Sequence, residues 1–167
     1  PKLERAYFIP RPDHSNAAQH ELALAHLDTA PDLDPGNAMI LNERGLVHAR
    51  MGNFQPAIMN YGNALRLAPG LHIARFNRAV AHRLRDDHDQ AIAELTEFLR
   101  RQPRSAAGFY QRGLSHRSRK DFDAALADFN AALDLNPDFD DAAKAKLEAE
   151  QASRRAADRT EPRRQPA

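Results

Sequence analysis

Residues 106–139 read AAGFYQRGLSHRSRKDFDAALADFNAALDLNPDF, and the two segments before them, 38–71 and 72–105, have the same length and pattern. Proline recurs at one place in each of these segments and once more 34 residues earlier, as Pro35, Pro69, Pro103 and Pro137. A fixed period of this size, kept at several positions at once, is typical of a stacked repeat array. The three segments therefore predict three copies of one structural unit.

Small and large residues keep the same period as the prolines. The small positions are Gly45, Ala79 and Gly113 in the first half of each segment, and Ala57, Ala91 and Ala125 in the second half. The large positions include Tyr61, Leu95 and Phe129. Each segment thus predicts two amphipathic helices, A and B, which approach closely at the small residues. Their apolar stripes are buried only when one pair stacks on the next.

The turn between the two helices also has a recurring pattern. In the first segment, helix A is predicted from about Ala38 to Met51 and helix B from about Phe54 to Ala68. Gly52 suits the left-handed residue that ends a helix, and Asn53 suits the cap that starts the next one. The recurring proline closes each helix B because it disfavours helix at the residue before it.

The period, the small residues and the closing prolines resemble the tetratricopeptide repeat family over roughly residues 17–139. The resemblance implies an all-α fold, a right-handed superhelical solenoid of stacked antiparallel helix pairs. Two positions depart from the family pattern: Arg75 stands where a large aromatic residue is usual, and Phe98 stands where alanine is usual. We expect these departures to change the local packing.

The chain is expected to contain three full repeats between two unlike ends. The predicted order is an extended N-terminal arm at 1–15, a half repeat of helix B alone at 16–37, repeats at 38–71, 72–105 and 106–139, a capping helix at 140–159 and a disordered tail at 160–167. Two prolines, Pro10 and Pro12, exclude a regular helix before the half repeat. The apolar run Tyr7-Phe8-Ile9 in the arm is expected either to cover the end of the first helix pair or to dock elsewhere.

In this family the A helices line the concave face of the superhelix, so the resemblance implies a partner-binding groove there. The candidate residues are mostly apolar, with one asparagine and three arginines: Met39, Asn42, Leu46, Arg50, Ile73, Phe76, Val80, Arg83, Leu84, Tyr110, Leu114 and Arg117. Phe76 and Tyr110 are the predicted anchors, and an arginine suits a partner's carboxylate. We expect an extended segment or a helix of another protein to bind there. A shallow, partly self-filled groove is the alternative.

Some tetratricopeptide domains hold the C-terminal carboxylate of chaperones through Lys, Asn, Asn, Lys and Arg. The corresponding positions of this chain are Asn42, Leu46, Asn77, Ala107 and Gln111. Leu46 and Ala107 lack the required donors, so we expect no chaperone carboxylate clamp.

Two ladders of polar residues also follow the period. His48, His82 and His116 are interpreted as replacements for a packing tyrosine and not as a metal site, because neighbouring helix axes lie roughly 8–10 Å apart while zinc needs ligands at about 2 Å. Arg44, Arg78 and Arg112 form the second ladder. Ion pairs to acids of helix B, such as Glu94 and Asp128, are predicted for it; a phosphate-binding stripe is the alternative.

Composition excludes several classes of function. The net charge is +1, from 24 basic and 23 acidic side chains, which argues against a nucleic-acid-binding protein with a concentrated basic face. There is no cysteine and no apolar run long enough for a membrane span. No glycine-rich phosphate loop, G-x-S-x-G elbow or H-E-x-x-H motif is present, so neither an enzyme nor a cofactor is predicted.

We therefore expect a non-catalytic scaffold or adaptor that binds another protein. Two alternatives stay open: a structural subunit held in a larger complex by its convex surface or its termini, and a helper domain of a longer enzyme chain. The composition indicates a bacterial source, and the chain begins at Pro1, as a mature form or a fragment does. A cytoplasmic location and, after removal of a signal peptide, a periplasmic one both fit the sequence.

Overall fold

The computed structural model describes residues 17–33 and 37–160, and the side chains of 18–27 and 37–158. Within these ranges the chain forms helices and no strand. The helices are α1 (Ala17–Leu33), α2 (Ala38–Arg50), α3 (Phe54–Leu67), α4 (His72–Leu84), α5 (His88–Arg101), α6 (Ala106–Ser118), α7 (Phe122–Leu135) and α8 (Asp140–Thr160). The predicted arm at 1–15 and the tail beyond Thr160 lie outside the described residues.

The chain divides into two compact units, Pro1–Arg101 and Gln102–Ala167. In unit 1, α1 packs on α2, α2 on α3, α3 on α4 and α4 on α5. In unit 2, α6 packs on α7 and α7 on α8. Helices α2, α4 and α6 are the A helices, and α3, α5 and α7 are the B helices. The predicted all-α class of stacked helix pairs is confirmed.

The small residues of helix A lie directly against aromatic rings of helix B. A Cβ atom on Gly45 would lie 2.6 Å from Cε1 of Tyr61, and one on Gly113 would lie 2.7 Å from Cε1 of Phe129. Tyr61 and Phe129 are fully buried at these contacts. Neighbouring helices approach so closely here that any side chain would displace the ring.

The turn between helix A and helix B needs a left-handed residue. Gly52 has φ 78°, and Asp86 and Lys120, at the same place in the next two repeats, have φ 64° and 65°. The prediction for Gly52 is confirmed. Asn53 starts helix B as predicted, but its side chain makes no capping hydrogen bond. The Asp121 side chain, at the equivalent position, accepts a hydrogen bond from the Ala124 amide at 3.4 Å.

The arginine ladder forms the predicted ion pairs in two repeats. Arg78 donates to the Glu94 carboxylate, and Arg75 Nη1 lies 3.5 Å from Glu94 Oε2. Arg112 donates two hydrogen bonds to the Asp128 carboxylate, from Nε to Oδ2 at 2.9 Å and from Nη2 to Oδ1 at 2.7 Å. These pairs are partly buried and tie each A helix to its own B helix.

The histidine ladder contacts acids at the start of helix B. His82 Nδ1 lies 3.4 Å from Asp87 Oδ2, and His116 Nδ1 lies 3.3 Å from Asp121 Oδ2. In residues 17–33 and 37–160, no group of three or more His, Asp or Glu side chains is arranged to hold a metal ion. None of the helices in those same ranges has the length and apolarity that crossing a membrane requires.

Helix α8 begins where the next A helix would begin in the 34-residue repeat. It has no small residue at the position where the A helices have glycine or alanine. Ala142, Ala145 and Ala149 are buried, whereas Leu147 is 55% exposed. Leu147 stands 34 residues after Gly113, at the position where the other A helices have glycine or alanine. A helix B could not approach α8 at Leu147 as closely as Phe129 approaches Gly113.

A candidate partner-binding face on the A helices

Two of the predicted groove residues belong to the core of unit 1. Phe76 is 0% exposed, and its ring centroid lies 5.2 Å from that of Phe98. Val80 is also buried. In contrast to its predicted place as an anchor, Phe76 offers a partner no side-chain surface in this structure. Phe98 stands where the family usually has alanine, and its ring packs against Phe76.

Asn42 is likewise buried, where it links α2 to α4. Its Oδ1 accepts a hydrogen bond from Asn77 Nδ2 at 3.1 Å, and its Nδ2 donates to Glu43 Oε1 at 3.4 Å. A buried polar group is stable only when it is hydrogen-bonded, so this pair fixes how the two A helices sit against each other. Asn42 positions the face and offers a partner no side-chain surface.

The remaining predicted residues of unit 1 stay accessible on α2 and α4. Met39 is 46% exposed, and the others are half-buried. We call this surface the unit 1 face; it comprises Met39, Leu46, Arg50, Ile73, Arg83 and Leu84. Two of these six residues, Arg50 and Arg83, are arginines, and none of the six is acidic. The unit 1 face thus combines apolar side chains with a positive charge.

In unit 2 the corresponding residues pack against the C-terminal part of the same unit. Tyr110 and Leu114 lie on the core cluster to which α8 contributes Ala145 and Ala149. The Tyr110 ring centroid is 4.8 Å from that of Phe139. Arg117 donates a hydrogen bond to Glu148 of α8. Tyr110, Leu114 and Arg117 therefore contact other parts of unit 2, and each of them remains half-buried.

Two pKa shifts illustrate the local environments. Burial raises the pKa of the Tyr61 hydroxyl above its usual value, with a smaller contribution from Glu43. Hydrogen bonds from Arg100 and Arg101 lower the pKa of the Glu97 carboxyl to about 2. The first shift follows from core packing and the second from a surface ion pair. Neither indicates acid–base catalysis.

The helix pairs, their glycine–aromatic contacts and the accessible A helices define a helical-repeat protein. Two tetratricopeptide repeat models match the chain, one over residues 42–106 and the other over residues 106–139. The chain belongs to the tetratricopeptide repeat family. Among curated proteins none matches this chain significantly.

Solved structures of low sequence identity share the fold. MamA residues 41 to the end, from Desulfovibrio magneticus RS-1, is 19% identical with a TM-score of 0.68, and the match covers 81% of this chain and 86% of that one. The first repeat domain of human RPAP3 is 20% identical with a TM-score of 0.70, covering 76% of this chain and 99% of that one. The first repeat domain of Spaghetti (RPAP3), bound to the HSP90 peptide SRMEEVD, is 21% identical with a TM-score of 0.67, covering 70% and 92%.

Proposed function

We propose that this chain is a non-catalytic scaffold or adaptor that binds an extended segment or a helix of another protein on the unit 1 face. The observation that carries the proposal is that, after α2 and α4 have packed, Met39 is exposed and Leu46 and Ile73 are only half-buried. Apolar patches that folding leaves uncovered often mark interaction sites. The peptide held by the Spaghetti (RPAP3) domain, which shares this fold, adds support.

The charge of the unit 1 face selects the chemistry of the partner. Arg50 and Arg83 lie near the C-terminal ends of α2 and α4, beside the apolar side chains. Arginine binds carboxylates with paired hydrogen bonds, and opposite charge favours the correct partner. We therefore propose a partner segment with apolar anchors and at least one carboxylate.

The unit 1 face rests on helices that are already fixed. The Asn42–Asn77 hydrogen bond holds α2 against α4, and the pairs from Arg75 and Arg78 to Glu94 hold α4 against α5. A preorganised surface loses little conformational freedom when a partner binds, so more of the contact energy appears as affinity.

A structural subunit is the second candidate, and one observation favours it. Met59 and Leu67 on α3, a B helix, are 60% and 49% exposed. Two large apolar side chains on one helix suit a permanent contact within a larger complex. That contact would leave the unit 1 face idle.

The two candidates are separated by a pair of matched variants. Leu46→Glu/Ile73→Glu places two negative charges on the unit 1 face, and Met59→Glu/Leu67→Glu places the same number on α3. Circular dichroism first establishes that each variant is folded. A partner is then captured with the wild type, and synthetic peptides that cover the partner's sequence are prepared. Titration calorimetry measures the affinity of each peptide for the wild type and for the two variants.

Our proposal expects Leu46→Glu/Ile73→Glu to lower the affinity of one segment at least about tenfold, or roughly 1.4 kcal/mol, while Met59→Glu/Leu67→Glu leaves the affinity unchanged. The reverse pattern would replace the proposal with the structural subunit. If both variants bind as well as the wild type, neither surface is the binding site.

A chaperone tail is a useful negative probe for the same face. Leu46 and Ala107 have no donor at the clamp positions, and Asn42 and Asn77 are bonded to each other. We expect no micromolar affinity for the peptide SRMEEVD. Micromolar binding that disappears in Leu46→Glu/Ile73→Glu would contradict the prediction that this chain has no chaperone carboxylate clamp.

A further inference from the structure

A dense group of carboxylates lies where α7 ends and α8 begins. Its members are Asp134, Asp138, Asp140 and Asp141, and the stretch 134–141 contains no basic residue. All four aspartates are exposed, and Leu135 between them is 37% exposed. We call residues 134–141 the acidic turn. It presents negative charge together with an accessible apolar side chain.

The four carboxylates of the acidic turn have no partner among the side chains that the structure describes: they form no ion pair and no hydrogen bond there. Other acids of unit 2 are paired, such as Asp128 with Arg112 and Glu148 with Arg117. An unpaired carboxylate on the surface keeps its charge available for a partner from outside.

Helix electrostatics account for only part of the acidic turn. Asp140 and Asp141 stand in the first turn of α8, where the helix dipole favours an acid. Asp134 stands in the last turn of α7, where the dipole disfavours one. At the same place in the two preceding repeats the chain has Arg66 and Arg100, which suit a helix C-terminus. The negative charge of Asp134 therefore has no local structural reason.

The unit 1 face has the opposite charge and a similar mixture of side chains. Arg50 ends α2, the helix that also presents Met39 and Leu46. Nε of Arg50 is buried and has no hydrogen-bond acceptor within the part of the chain that the structure describes. A carboxylate from outside would give this guanidinium an acceptor. The unit 1 face and the acidic turn are thus complementary in charge, and both offer apolar side chains.

We propose that the unit 1 face of one chain binds the acidic turn of a second copy of the same chain. This inference rests on the proposed function, because it names the partner of the same face. Leu135 of the second copy supplies the apolar anchor, and Asp134 and Asp138 supply the carboxylates. Since the two surfaces differ, the contact is heterologous and can repeat from one chain to the next.

Sedimentation velocity of the full chain, from about 1 μM to about 1 mM, tests the association. Asp134→Lys/Asp138→Lys reverses two charges of the acidic turn. Asp123→Lys/Asp158→Lys is the matched control, because it reverses two exposed carboxylates elsewhere in unit 2. Circular dichroism first establishes that both variants are folded.

We expect the wild type and the control to associate as the concentration rises, and the acidic-turn variant to associate at least about tenfold more weakly. A wild type that stays monomeric at every concentration would overturn the proposal. Equal association of the two variants would overturn it as well.

A mixture of two defective chains tests whether the contact joins two different surfaces. Leu46→Glu/Ile73→Glu keeps the acidic turn but loses the unit 1 face, and Asp134→Lys/Asp138→Lys does the opposite. We expect neither variant to associate alone and their equimolar mixture to form pairs that cannot grow further. A mixture without pairs, from two folded variants, would exclude the proposed contact.

The salt dependence of the association tests the charge pairing. Because the carboxylates are exposed, about 0.5 M NaCl should weaken the association of the wild type several-fold. Association that does not respond to salt would contradict a contact between the acidic turn and Arg50.

Failure of this inference is distinguishable from failure of the proposed function. A monomeric wild type removes the second copy as the partner of the unit 1 face. The titrations of captured-partner peptides against Leu46→Glu/Ile73→Glu test that face with any other partner.

Discussion

Units 1 and 2 use the same repeat pattern, but the predicted groove residues of their A helices have different surroundings. In unit 1 the exposed side of α2 and α4 keeps Met39, Leu46 and Ile73 within reach of a partner. In unit 2 the equivalent side of α6 is packed on α8 through Tyr110 and Leu114. The repeat phase decides which residues join helix A to helix B. Whether the other side of helix A stays free depends on what packs on it.

The units also differ in how they pair their arginines. In unit 1 Glu94 receives both Arg75 and Arg78. In unit 2 Asp128 receives one arginine, Arg112, through two hydrogen bonds. In unit 1, Glu94 therefore keeps one arginine when the other is removed. In unit 2, Arg112 is the one arginine that pairs with Asp128.

The largest expected effect comes from breaking the contact between α8 and the core of unit 2. Ala149→Asp places a carboxylate at a fully buried position of the cluster that includes Phe129. We expect unit 2 to lose about 3–5 kcal/mol, because the charge has no partner there. Ala156→Asp on the exposed side of α8 is the control and should stay within about 0.5 kcal/mol. Urea denaturation measures both; equal losses would show that α8 does not cover unit 2.

The next effect tests what the two units share. Gly45→Ala and Gly113→Ala should each lower the free energy of unfolding by about 1–3 kcal/mol, because the new Cβ overlaps an aromatic ring. Gly113→Ala should be the worse of the two, since its Cβ also lies 3.2 Å from the Ala125 carbonyl oxygen, which cannot rotate away.

Gly62→Ala is the control for this pair. Its Cβ meets only the Arg78 side chain at 3.6 Å, an ordinary contact. Since alanine favours helix over glycine, this variant should gain up to about 1 kcal/mol. Thermal unfolding that ranks Gly62→Ala below Gly113→Ala would refute the close-approach interpretation.

A moderate effect separates the two ion-pair arrangements. Asp128→Ala should lower the free energy of unfolding by about 1–3 kcal/mol, because Arg112 loses both of its hydrogen bonds to Asp128. The loss is smaller than for a fully buried ion pair, since Arg112 is partly exposed. Arg75→Ala should cost less than about 1 kcal/mol, since Arg78 still neutralises Glu94. Chemical denaturation of the two variants compares them. If both variants lose the same stability, the second arginine that pairs with Glu94 does not compensate for the loss of Arg75.

The smallest effect concerns the surface of unit 1. The pKa of Glu97 is lowered to about 2 by Arg100 and Arg101. A carboxyl with a lowered pKa in the folded state stabilises the fold fully above its unfolded pKa, near 4.5, and loses this contribution as the pH falls toward 2. Glu97→Gln should therefore decrease Tm slightly at pH 6 and not at pH 2. A difference that grows on acidification would have the wrong sign.

Much of the fold was predictable because close packing leaves a periodic record in the sequence. Gly45, Gly113 and the residues opposite them are fixed by contact between helices, and contact repeats whenever the repeat does. The ion pairs of Arg78 and Arg112 were predictable for the same reason, because both acids lie sixteen residues after their arginine.

The candidate site was less predictable, because the exposure of a residue depends on neighbouring side chains that do not follow the repeat pattern. Phe76, Asn42 and Tyr110 share one phase, yet Phe76 and Asn42 are fully buried and Tyr110 is not. Phe98 in place of the usual alanine was the one signal in the sequence that pointed to the burial of Phe76. No comparable signal marked the contact of Tyr110 and Leu114 with α8.

Leu147 determines where such an array can be lengthened. A new unit grafted behind α8 would need to bring its helix B against Leu147, where every other A helix offers glycine or alanine. Duplication or design must therefore insert whole 34-residue cassettes ahead of Asp140 and keep α8 last. Exchanging Leu147 for glycine would remove the side chain that keeps a following helix B from a close approach to α8.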